Sequence, residues 1–62
     1  MNAEGLINVG QAVAHGHSRL VKNLRTNQQG RVIDVEDDAL TVLVEQGTEV
    51  WPCGDCVENN PD

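Results

Sequence analysis

Two pairs of side chains in this chain are of types that do chemistry, and both lie at short spacing. Cys53-Gly54-Asp55-Cys56 is a C-x-x-C, and His15-Gly16-His17 is an H-x-H. The C-x-x-C spacing lets two thiolates reach one tetrahedral zinc ion. In an extended segment, residues two apart point to the same side, so the two imidazoles can converge. If the first and last strands lie together, His15, His17, Cys53 and Cys56 make a four-ligand zinc site. Zinc is the one cofactor that the sequence offers. The bland alternative is a pair of reduced, partly buried thiols and two surface histidines. A redox role has less behind it, because a thioredoxin-type pair opens a helix that lowers the thiol pKa, whereas here Pro52 precedes the pair. No Ser or Cys nucleophile stands at a spacing that suggests a base and an orienting acid, which points away from hydrolysis.

Charge is unevenly distributed. The net charge is −6, yet the four cations Arg19, Lys22, Arg25 and Arg31 fall in a single short segment. Every acid except Glu4 lies from Asp34 onward. The overall field repels nucleic acid and anionic membranes. The basic segment is either a solvated loop or a local RNA-binding patch. Asp34, Glu36, Asp37 and Asp38 alternate across two faces, which suits a solvated turn better than a cation site.

The 62 residues make one domain with a thin core: Val is the main filler, and Trp51 is the only aromatic residue. Chains of this size commonly gain stability from a metal, disulfides or oligomerisation. Two cysteines allow at most one bridge. No basic-then-apolar leader and no membrane-length apolar run is visible, so a cytoplasmic protein with reduced thiols is expected.

The elements that would position these groups read as strands. Residues 1–6 and 59–62 are expected as flexible ends flanking a domain over 7–58. Gln11–His15 is expected as a first strand, followed by a long first loop over 16–29. Within it, Ser18–Arg25 is either one or two helical turns or an anchored loop. Arg31–Glu36 is the second strand; the three-residue spacing of Val32 and Val35 breaks the alternation and implies a bulge or a sharp coil. Asp37-Asp38-Ala39 turns into a third strand over 40–45. Gly47 suits a bulged hairpin that pairs Val44 with Thr48 and Val42 with Val50. That register puts Trp51 on the outer face, diagonal to Leu43, whereas a two-residue turn would bury it. Pro52 ends the fourth strand. Residues 53–56 form a tight turn, of 3-10 type, ahead of a short last strand at Val57-Glu58.

Val9-Gly10-Gln11-Ala12-Val13, the G-x-V-x-x-V of Gly30–Val35, L-T-V-x-V at Leu40–Val44, a glycine hairpin, a proline and a short turn into V-E follow in order. Together they resemble the Src-homology-3-like small β-barrels of the KOW and Tudor type. The resemblance implies an all-β fold, a single five-stranded, strongly bent barrel. KOW-type members contact ribosomal RNA or polymerase, which makes Arg19, Lys22, Arg25 and Arg31 the candidate RNA-binding residues. Tudor-type members need an aromatic cage, for which one Trp is insufficient. Glu49-Val50-Trp51-Pro52 is similar in rhythm to the pore run of the type II dihydrofolate reductases. That family has Gln and Tyr where Glu49 and Trp51 stand here, and its substrate-clamping Lys has no counterpart.

The leading expectation is therefore a non-enzymatic protein-interaction or assembly module that binds a protein partner or itself, with Thr41, Leu43 and Trp51 as the contact surface. The KOW-like RNA-associated module and the zinc-stabilised module are the alternatives.

Overall fold

A computed structural model describes residues 1–59. Its elements run α1 (Ala3–Ala14), β1 (Leu20–Asn23), β2 (Gln28–Glu36), β3 (Ala39–Val44), β4 (Gly47–Pro52), a 3-10 helix at Cys53–Asp55, and β5 (Cys56–Glu58). All five strands lie in one antiparallel sheet in the order β4-β3-β2-β1-β5. Five strands and the 3-10 turn before the last one match the expectation. The closed barrel does not, because β4 and β5 are the two edges of an open sheet.

The N-terminal third departs from the expected strand. Residues 3–14 are helical, so Gln11–Ala14 belongs to α1 and residues 3–6 form its first turn. The signals for a helix are local. Asn2 caps it, with its Oδ1 accepting from the Gly5 amide at 2.8 Å, and Glu4 sits near the positive end of the helix dipole. At the other end Gly16 adopts φ +80°. The His17 amide donates to Ala12 O and the Gly16 amide to Val13 O, the paired bonds of a Schellman stop. Val9 and Ala12 are buried, and Leu6 and Val13 pack beside them, a stripe at helical spacing. With Gly5 and Gly10 inside it, the helix depends on that packing more than on propensity.

The expected long first loop is also corrected: it holds β1 and the start of β2. Val21 and Asn23 point into the core while Leu20 and Lys22 point out. Asn23 is 4% exposed, and its Oδ1 accepts from the Arg25 and Thr26 amides, which bends the chain into the β1–β2 turn. Asn27 completes that turn at φ 63°.

The bulge implied by Val32 and Val35 is present, as a register shift between Val32 and Asp34 against β3. Asp34 accepts the Val35 amide at 2.9 Å, satisfying a donor in the disturbed stretch. Gly30, the first residue of the G-x-V-x-x-V run, is required by space. A Cβ there would lie 2.3 Å from Val42 Cγ1 and 2.9 Å from the Leu43 carbonyl oxygen.

The core comprises Val9 from α1 and Val21, Val32, Leu40, Val42, Trp51 and Cys56 from the sheet, with Met1, Leu6, Val13, Val35 and Val44 against it. The expected C-terminal tail lies outside the described residues from 60 onward. Asn59 donates its amide to Leu20 O at 2.9 Å.

Candidate functional site: the outer face of the sheet

The β3–β4 hairpin decides which residues face outward. Its pairs are Val44 with Gly47, Leu43 with Thr48, Thr41 with Val50 and Leu40 with Trp51. The loop is therefore the two residues Glu45 and Gln46, and the expected bulged register is corrected by one position. Because side chains alternate with period two, that single step turns the whole of β4 over. Trp51 is 4% exposed, stacked beside Leu40 in the core, and its indole N–H donates to Glu49 Oε1 at 3.0 Å. Val50 takes the outward place instead, 67% exposed. The physical reason lies in burial: β4 carries one large aromatic, and a thin Val-rich core gains most by enclosing it.

Of the expected contact residues, Thr41 and Leu43 stay on the outer face and Trp51 leaves it. Cross-strand partners share a face, so the register gives the outer surface in rows. One row holds Leu20, Arg31, Leu43 and Thr48; the next holds Asp34, Thr41 and Val50; the last holds Glu36, Ala39 and Pro52. On the other side of the first row lie Gln29, Lys22 and Val57. Ile33, in the irregular stretch of β2, is 42% exposed, and Leu43 is 38% exposed. The sequence did not single out Ile33 and Val50, although the alternation of β4 was the signal that could have found them.

The two chemistry-bearing pairs do not come together. His15 caps the end of α1, and with His17, Arg19, Asn8, Gln11 and Glu58 it lines an open polar cleft of about 500 Å³. Glu58 is at the far end of β5 from Cys56, two residues or roughly 7 Å along the strand. Cys56 is buried at the opposite end, with its thiol donating to Pro52 O at 3.4 Å. Burial pushes its pKa up, reinforced by Asp55 and Cys53 and opposed by the N-terminal ammonium. That ammonium donates to the carbonyl oxygens of Cys53 and Cys56, which ties the start of α1 to the 3-10 turn. Cys53 is half-buried, and both cysteines are free thiols. Among the described residues, no three of His, Cys, Asp and Glu are grouped to hold a metal ion. The expected four-residue zinc set is therefore not assembled in this geometry.

The four cations divide between two places. Arg19 lines the cleft, while Lys22, Arg25 and Arg31 lie towards one end of the outer face and the adjoining turn. No helix among the described residues is long and apolar enough to cross a membrane. Compared with known proteins, the chain matches no family model, no curated protein and no solved structure.

Proposed function

We propose that this chain is a non-enzymatic protein-interaction and assembly module, built on an open form of the Src-homology-3-like small barrel and working through the outer face of its sheet. The observation that carries this reading is the apolar set Ile33, Leu43 and Val50 on one uncovered face, beside β4, an edge strand of six residues. Exposed apolar groups of this kind, rimmed by charge, mark contact surfaces, and an unprotected edge offers backbone groups for pairing. The core explains why the surface is needed. A chain of 62 residues has about 3–9 kcal/mol of folding stability, and a contact partner adds to it.

A photo-crosslinking residue placed at Val50 tests the reading in cells. Adducts of higher mass should form there and not from the same residue at Ile7, which is equally accessible on α1 (59% exposed). Equal yields at both positions, or none at Val50, would rule the outer face out. RNA is the second reading, supported by Lys22, Arg25 and Arg31 lying towards one end of that face. It requires binding that weakens steeply with salt.

A further inference from the structure

We infer that the occupant of the outer face is a second copy of this chain, related by a two-fold axis that runs across the strands between the two facing sheets. The inference rests on the reading of the outer face as a contact surface and adds the partner and its orientation.

The charges along β2 carry it. From its start to its end, β2 places Arg31, then Asp34, then Glu36 along the exposed side, with Ile33 between the basic and the acidic parts. Lys22 and Arg25 enlarge the basic end, where Glu45 is the only acid in the adjoining hairpin loop. Asp37 and Asp38 enlarge the acidic end, in the hairpin that joins β2 to β3. One face is therefore split into a positive half and a negative half, with Ile33 at the boundary and Leu43 beside it in the Arg31 row.

With the strands of the two sheets aligned, two face-to-face arrangements have two-fold symmetry, and in each the contact is isologous. An axis parallel to the strands keeps each row at its own height, so Arg31 meets Arg31 and Glu36 meets Glu36. An axis across the strands reverses the rows. Arg31 then faces Asp34 of the other copy, Lys22 lies next to its Glu36, Leu43 packs against its Thr41, and Ile33 meets its own counterpart at the centre. Like-charge juxtaposition disfavours the first arrangement, and the second satisfies both halves at once. Stacked sheets lie about 10 Å apart, a spacing that side chains of this size fill.

Complementary charge reversal tests this. K22E/R31E reverses the charge of the basic rows, and D34K/E36K reverses that of the acidic rows. Each variant alone should self-associate about tenfold more weakly than the wild type, and their equimolar mixture should recover a one-to-one heterodimer. Asp34 also accepts the Val35 amide. Glu36→Lys alone therefore replaces the double variant if circular dichroism shows a loss of fold. Variants that associate as tightly as the wild type, or a mixture that gives no heterodimer in native mass spectrometry, would overturn the inference. So would a wild type that stays monomeric at the highest attainable concentration. In that case adducts at Val50 carrying another protein would leave the face assignment standing, whereas their absence would remove both.

Discussion

Substituting Gly30 by Ala probes a tight approach between β2 and β3. The added Cβ would sit 2.3 Å from Val42 Cγ1, 2.9 Å from the Leu43 carbonyl oxygen and 3.0 Å from Val44 Cγ1. Side-chain rotation can relieve the two valines, but the carbonyl is fixed by the sheet. Overpacking of a tight interior costs about 1–3 kcal/mol, and the backbone contact places this site towards the upper end. Against a total of about 3–9 kcal/mol, that is a large fraction of the stability of the domain. For a domain of this size each kcal/mol lowers the melting temperature by about 4–8 °C, so a fall of about 10–20 °C is expected. Thermal melts followed by far-ultraviolet circular dichroism read it directly. Gly54→Ala is the control, because nothing lies within 4 Å of a Cβ at that position and its φ is not in the left-handed region. A Gly30→Ala protein that melts within about 2 °C of the wild type, as the control should, would refute the claim that space at Gly30 shapes the sheet.

Trp51→Ala removes the largest core side chain and should cost about 3–5 kcal/mol, lowering the melting temperature by more than about 12 °C. A Trp51→Ala protein that melts within about 2 °C of the wild type would return Trp51 to the surface. Cys53 should react with an alkylating reagent in the native state while Cys56 is protected, as peptide mass mapping would show; equal rates would contradict the burial of Cys56. Burial holds the Cys56 pKa above its unfolded value, so its contribution is complete at neutral pH. It is lost as pH rises past the ordinary thiol value of about 8.5 towards the folded one. Alkaline melts should therefore fall more steeply for the wild type than for Cys56→Ala, and parallel curves would contradict this.

Much of the sheet was legible because its signals are local. The spacing of Val32 and Val35 announced the bulge, the alternation of Leu40–Val44 gave β3, and Pro52 with Gly54 marked the turn into β5. Two errors have physical causes. Gln11–His15 alternates weakly enough to pass for a strand, while the evidence for α1 is spread over Asn2, Leu6, Val9 and the Gly16 stop. Those signals gain force only once a sheet exists for Val9 to pack against. The face of Trp51 turned on one residue of hairpin register. Gly47 is compatible with either loop, and the choice is made by the core, which local turn chemistry does not see. The contact surface was legible in part, since Thr41 and Leu43 were assigned outward from β3 alone. The H-x-H and C-x-x-C were separated by topology: β5 carries Cys56 and Glu58 at opposite ends, and only the Glu58 end reaches the histidines.

The most direct test of the outer-face contact is an isotope-filtered nuclear Overhauser experiment on a sample that mixes labelled and unlabelled chains. Intermolecular contacts are expected between Ile33 methyls of the two copies and from Leu43 methyls to Thr41 of the other copy, with none from Ile7 on α1 or from the Trp51 ring. Intermolecular contacts confined to α1, or none from the Ile33 and Leu43 methyls, would contradict the outer-face contact.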